Sequence, residues 1–280
     1  MREVRAEEIT ATVARLCIEA CSVLGPDWWQ AMAAAEAKEE APLGRDILKK
    51  LQENALLAAE SREPICQDTG VAVVFVELGQ QVHISGGSLY DAINAGVRQG
   101  YTEGYLRKSV VDDPLLRRNT GDNTPAIIHT EIVDGDHLKI TVAPKGAGSE
   151  NMSGVKMLKP ADGVAGIKKY VLQVVEEAGG NPCPPIVVGV GIGGNLEKAP
   201  YLAKKALLRP LGQRHPLKHV AALEEELLAA INASGIGPQG LGGRVTALDV
   251  HIEIYPTHIA SLPVAVNLQC HAARHATAIL

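Results

Sequence analysis

Cys66, Cys183 and Cys270 lie far apart in this chain, and each stands in a Gly-, Pro-, Asn- or Gln-rich corner beside an apolar run that reads as a strand. No short loop holds two of them, so any joint role has to be assembled by the tertiary fold. Three soft ligands leave a position open. Structural zinc normally closes its tetrahedron with four protein ligands, whereas a catalytic metal keeps one position for water or substrate. A cubane iron–sulfur cluster on three thiolates likewise leaves one iron free to act as a Lewis acid. The plainer alternative is three buried cysteines acting as small hydrophobes. Their surroundings weigh against it: Pro64-Ile65-Cys66-Gln67-Asp68-Thr69-Gly70, Asn181-Pro182-Cys183-Pro184-Pro185 and Asn267-Leu268-Gln269-Cys270-His271 are polar or Pro-bounded corners. Ligands that must point at a shared centre belong on such loops, held by a rigid scaffold. Cys17 and Cys21, one helical turn apart on a face shared with Val13 and Leu24, read instead as core packing.

Two other patterns invite chemistry. Gly189-Val190-Gly191-Ile192-Gly193-Gly194 satisfies G-x-G-x-x-G after a predicted strand and before a predicted helix, as a dinucleotide fold requires. A nicotinamide site also wants an acidic residue about 20 positions on. This chain has Leu207-Leu208-Arg209-Pro210-Leu211 there, so the glycines are expected to permit close packing near the Cys183 corner. His215/His219 and His271/His275 have the spacing of zinc-binding helices, but neither pair carries the H-E-x-x-H glutamate, and Pro216 follows His215. His215 and His219 read as surface or packing residues. His271 and His275, directly after Cys270, are candidates for orienting a ligand or hydrogen-bonding a bound centre.

The segments ICQDTG, NTGDNTP, PKGAGSENMS, NPCPPIVVGVGIGG, GIGPQGLGG and PTHIASLPVAVNLQCHAARH together resemble the α subunit, or N-terminal domain, of the class I fumarase and tartrate dehydratase family, over nearly the whole chain. The resemblance implies an oxygen-sensitive [4Fe–4S] hydro-lyase, with Cys66, Cys183 and Cys270 on the positions that ligate the cluster. It implies a small dicarboxylate substrate. Hydration of a dicarboxylate needs a bound hydroxide, an acid or base for the carbon proton, and cations for the carboxylates. Asp68 becomes the first candidate for proton transfer, with Gln67 orienting the substrate or its hydroxyl. Arg107 matches a position that grips a carboxylate, a task suited to bidentate guanidinium. Gly148 and Ser149 resemble a loop whose amides meet a substrate carboxylate, and His258 matches a histidine near the substrate that tunes the catalytic carboxylate. The family draws further arginines, a lysine and a threonine from a second domain. The expectation is therefore a partner β subunit, in an α2β2 assembly. Gly104–Ser109 and Asn267–His275 look more like fumarases, which favours hydration of fumarate to (S)-malate, with L-tartrate dehydration as the alternative. A zinc-stabilised binding subunit without chemistry and a dinucleotide oxidoreductase subunit remain as readings from other classes.

The elements that would position these residues alternate between helix and strand. Helices are expected at 6–23, 27–40, 44–60, 88–104, 163–178, 196–207 and 217–233. Strands are expected at 71–78, 126–133, 138–143, 186–190, 244–255 and 262–268, with 126–133 and 138–143 paired as a hairpin about Asp134-Gly135-Asp136. The fold class is α/β, with mixed sheets flanked by helices, and the family resemblance implies the N-terminal-type fold of iron–sulfur hydro-lyases. A single domain over 1–280 is expected, made of a helical N-terminal segment (1–60) and a cluster-binding body (61–280). A net charge of −5 suggests neither nucleic acid nor an anionic membrane as partner. No apolar run reaches the ~18–20 residues of a membrane span. The polar, acidic N-terminus and an odd number of cysteines, five, point to thiols in a reducing, cytoplasmic setting.

Overall fold

The computed structural model describes residues 2–280. In chain order its elements are β1 (Arg2–Arg5), α1 (Ala6–Ser22), α2 (Pro26–Lys38), α3 (Pro42–Ser61), β2 (Val71–Gly79), β3 (Val82–Ser85), α4 (Leu89–Glu103), β4 (Ile127–Val133), β5 (Leu138–Lys145), α5 (Ala147–Glu150), β6 (Gly154–Leu158), α6 (Gly163–Ala178), β7 (Ile186–Gly194), α7 (Lys198–Ala206), α8 (Lys218–Asn232), β8 (Ala247–Thr257), β9 (Leu262–Gln269) and β10 (Ala276–Ile279). The mixed α/β class is as the alternating pattern implies. Two compact units emerge, each from separate stretches of chain. The first takes Met1–Leu24, Asn54–Ala147 and Arg274–Leu280, and the second Gly25–Glu53 and Gly148–Ala273.

In the first unit α1 and α4 pack together. Ile9, Val13, Leu16, Cys17, Ala20 and Cys21 recur every three or four residues along α1 and are fully buried, the apolar stripe of a core helix. The stretch Ala6–Lys38 has the length and apolarity of a membrane span, which the sequence reading did not find. It is broken between Ser22 and Pro26, however, and its first half is occupied with this core. Burying each of Ile9, Val13 and Leu16 stabilises the fold by about 1.5–3 kcal/mol, and the smaller side chains contribute less.

The four-stranded sheet has the order β10-β5-β2-β4, with β2 parallel to β4 and antiparallel to β5. The expected hairpin of β4 with β5 is therefore not formed: β2 lies between them. The central place goes to the continuous apolar run of β2, where Ala72–Val76 are buried, whereas β4 exposes Ile127 and Ile132 at the edge. The Asp134–Asp136 turn does form. It accepts Gln81 N on Gly135 O at 3.0 Å, locking the end of β2 beneath it.

The second unit has a sheet of order β6-β9-β7-β8, with β7 parallel to β8 and antiparallel to β9. Strand alternation sorts β7 into two faces. Ile186, Val188 and Val190 join α6 and α8 in the core, and Gly189 and Gly191 face α7. A Cβ at Gly189 would lie 2.1 Å from Ala203 O, and one at Gly191 would lie 2.0 Å from Ala199 O. The G-x-G pattern is thus the interior of a strand on which a helix sits at backbone distance, and not a phosphate-binding turn between strand and helix. Close packing is its role, and the partner is α7, where the expectation had been the Cys183 corner.

Buried charges tie this unit together near β8. Glu224, fully buried on α8, accepts Arg209 Nη1 at 2.5 Å, Ile252 N at 2.8 Å and His215 N at 2.9 Å. Asp249 accepts Arg214, Gly212 N at 2.6 Å and His251 Nε2 at 3.1 Å. His215 precedes α8 and His219 lies within it, so the two do not form a zinc-binding helical pair.

Candidate active site

Each unit gathers part of the expected site. In the first, the Cys66–Gly70 corner leads into β2. Cys66 and Gln67 are exposed, Asp68 is half-buried and Thr69 is buried. Gly70 holds φ +71°, and a Cβ there would lie 2.4 Å from the carbonyl carbon of Lys145, so only glycine can let the chain turn at this point. Around the turn, Asp68 Oδ1 accepts Gly70 N at 3.1 Å and Oδ2 accepts Ala147 N at 2.9 Å. Asp68 N donates to Cys66 Sγ at 3.4 Å. Thr69 Oγ1 donates to Arg107 O at 3.0 Å, which brings the exposed Arg107 beside the corner. Cys66, Gln67, Asp68 and Arg107 therefore share one locality.

Three supports of that corner were not singled out from sequence. Arg274, 2% exposed, donates from Nη2 to Asp68 O at 2.8 Å. Tyr101, fully buried, donates its hydroxyl to Thr69 O at 2.8 Å, and burial raises its pKa well above the usual phenol range. Asn123 accepts Ser109 N at 2.7 Å and donates to Gly70 O at 3.1 Å. This gives the NTGDNTP segment the role it lacked in the sequence reading. The one available signal was its position, four residues after a presumed ligand in Cys270-His271-Ala272-Ala273-Arg274.

In the second unit, Cys183 and Cys270 are joined through His271. Its backbone N donates to Cys183 O at 3.3 Å, and its ring Nδ1 lies 3.2 Å from the same oxygen. Trp28 Nε1 anchors His271 O at 2.5 Å. Cys183 sits at φ +57°, a left-handed conformation costing about 1–2 kcal/mol in a residue with a Cβ; its N–H bonds Gly180 O at 3.1 Å. The Gly148–Ser149 turn lies alongside: a Cβ on Gly148 would sit 3.6 Å from Asn181 O, and Ser153 Oγ donates to Ser149 O at 3.3 Å while accepting Leu268 N at 3.1 Å. Gly148, Ser149, Cys183 and Cys270 thus share a second locality. His258 sits apart from it in the second unit, exposed on the turn after β8, where its Nδ1 accepts Ala260 N at 3.1 Å. It lines a cleft of about 430 Å³ with Asn195, Lys198 and Tyr255.

Comparison with known proteins bears on what these corners do. The model of the family described as Fumarate hydratase (Fumerase) matches residues 10–279. The chain belongs to this fumarate hydratase family. Among its relatives, "Putative L(+)-tartrate dehydratase subunit alpha" of Methanocaldococcus jannaschii is 48% identical over 276 residues, 96% of each chain. "L(+)-tartrate dehydratase subunit alpha" of Escherichia coli strain UTI89 is 35% identical over 242 residues, 85% of this chain and 80% of the relative. The same-named protein of Shigella boydii is 35% identical over 245 residues, 86% and 80% respectively. Fumarate hydratase family membership and these names together make the chain a hydro-lyase family member.

The cysteines of this fumarate hydratase family chain fall into two chemical classes. Cys17 and Cys21 are fully buried; burial pushes the Cys21 thiol up to about 11 and Cys17 higher still, so neither offers a thiolate. Cys66 and Cys183 are exposed and Cys270 is partly so. Cys66 also has an amide N–H on its sulfur, the contact that stabilises a ligating thiolate. The reachable thiols are the donor type that an iron–sulfur cluster takes. Among the described residues, no three His, Cys, Asp or Glu side chains are grouped to hold a single metal ion.

Proposed function

We propose that this chain is the α subunit of a two-subunit [4Fe–4S] hydro-lyase acting on a four-carbon dicarboxylate, with Cys66, Cys183 and Cys270 as the cluster ligands. The observation that carries the reading is the split between two inert, buried thiols and three reachable ones on polar corners, in a chain of this family. The "subunit alpha" in the relatives' names supports a β-subunit partner, and the assembly proposed is α2β2, a two-fold pairing of αβ units. On the same names, L(+)-tartrate dehydration takes first place as the reaction. Hydration of fumarate to (S)-malate is the second reading, supported by the description of the matching family and by the Gly104–Ser109 stretch.

The residues divide the work by chemistry. When bound, a cluster with one iron free of thiolate supplies a Lewis acid for a hydroxyl group. Asp68 holds or takes the carbon proton: one amide bonds each carboxylate oxygen, fixing its orientation and leaving further lone pairs for a proton. Gln67 orients the hydroxyl from the same corner. Arg107 offers a bidentate grip on one carboxylate, and the amides of Gly148 and Ser149 donate to the other. The resemblance puts His258 near the substrate; in this chain it stands on the exposed turn after β8, apart from the Cys183 corner.

The test is an anaerobic assembly of this chain with its partner subunit, assayed on L(+)-tartrate by oxaloacetate formation and on fumarate by loss of its absorbance. The dominant turnover decides the substrate. A cluster-loaded assembly that turns over neither would sink the hydro-lyase reading.

A further inference from the structure

We infer that Lys204, Glu150 and Asn267 are positioning residues, a clamp that fixes the Gly148–Ser149 turn for carboxylate binding; the inference rests on the reading of those amides given above. Glu150 ends α5, directly after the turn. Its Oε1 accepts Lys204 Nζ from α7 at 2.6 Å, and its Oε2 accepts Asn267 Nδ2 from β9 at 3.0 Å. The same Nδ2 donates to Ser153 Oγ at 3.2 Å, and that hydroxyl donates to Ser149 O. The turn is therefore held at Ser149 O and at Glu150, from two different elements. Lys204 is largely withdrawn from water, its side chain 17% exposed. A charge-assisted bond in such a place is stronger than a neutral surface one.

Asn267 shows that this arrangement is not an optimum for stability. It is 7% exposed in β9, on the face opposite Val266 and Leu268, and its Oδ1 is buried with no hydrogen-bond partner among the described residues. A buried polar side chain left half satisfied is worse for stability than an apolar one of similar size. Its amide nitrogen is nonetheless spent on Glu150 and Ser153. Such a residue, kept with one buried acceptor unpaired, marks a geometric requirement on the turn.

The variants Asn267→Leu and Lys204→Met separate positioning from structure. In the assembled enzyme both are expected to raise KM for the dicarboxylate about 10-fold with kcat within about threefold, at unchanged iron content, and Lys204→Arg is expected to restore most of the loss. Asn267→Leu should leave the melting temperature unchanged or higher, which a merely structural asparagine would not do. In the full chain, without reference to activity, amides 148–153 should exchange at least about 10-fold faster in Lys204→Met than in wild type or Lys204→Arg. Unchanged exchange, or wild-type KM in both variants, overturns the inference. Faster exchange in a wild-type-like assembly that turns over no dicarboxylate would instead overturn the substrate reading and leave only a clamp without catalytic purpose.

Discussion

Asp68 carries the chemistry assigned to the first unit, and its surroundings say what replacing it should do. Asp68→Asn keeps the size of the side chain and one acceptor oxygen but removes the site that holds a proton. We expect kcat to fall about 10²- to 10⁴-fold with the cluster retained, checked by steady-state turnover against iron content. Loss of the cluster together with activity would mean that Asp68 serves the corner's structure and not the proton. Asp249 answers a different question. Burial pushes its carboxyl up, but hydrogen bonding and charge from His251, the Arg214 guanidinium and the Gly212 amide outweigh this and hold it at about 2. Its folded pKa is lowered, so its contribution is complete above the ordinary carboxylate range and is lost as pH falls from about 4 through 2. That contribution is on the order of 2 kcal/mol. Acid unfolding followed by circular dichroism should be less steep between pH 4 and 2 for Asp249→Asn; an identical slope would contradict the assignment. The cysteine corners and Asp68 were legible as residue types because their neighbours are polar punctuators. Arg274 and Tyr101 were not, since a lone arginine or tyrosine gives no sign of whether tertiary contacts will bury it against a particular carbonyl.

Long, strongly periodic segments were the legible elements. The helix at Gly163–Ala178 falls where its Ile167, Val171, Val174, Val175 and Ala178 spacing places it, and Gly179 at φ +52° ends it. The short strands β1, β3, β6 and β10, of four or five residues, were missed because nothing local distinguishes them from loop; their partners decide them. The false hairpin has the same origin: turn chemistry at Asp134–Asp136 is local, whereas the insertion of β2 between β4 and β5 depends on which strand is most apolar on both faces. The glycines of β7 give the sharpest test at this scale. Gly191→Ala would force α7 away from the sheet, since the new Cβ would sit on Ala199 O. We expect a destabilisation of about 1–3 kcal/mol or more, seen as a melting temperature lowered by roughly 3–10 °C. A change of less than about a degree would show that α7 is not held at this distance.

At the scale of the molecule, the expected ligands are divided between two units, Cys66 in the first and Cys183 and Cys270 in the second. A cluster bound by all three would link folding of both units to metal loading, because ligand-binding free energy adds to folded-state stability. The resemblance read from the quoted motifs and the matched family agree, but the substrate was not legible: the residues that separate tartrate from fumarate are not identified by the cluster corners. The most direct measurement is iron and acid-labile sulfide content, with EPR, on the anaerobically purified chain and on Cys183→Ala. About four irons with matching sulfide per chain, lost or degraded in the variant, is the result this account predicts. Stoichiometric zinc, or a fully folded chain that takes up no iron under reconstitution, would contradict it.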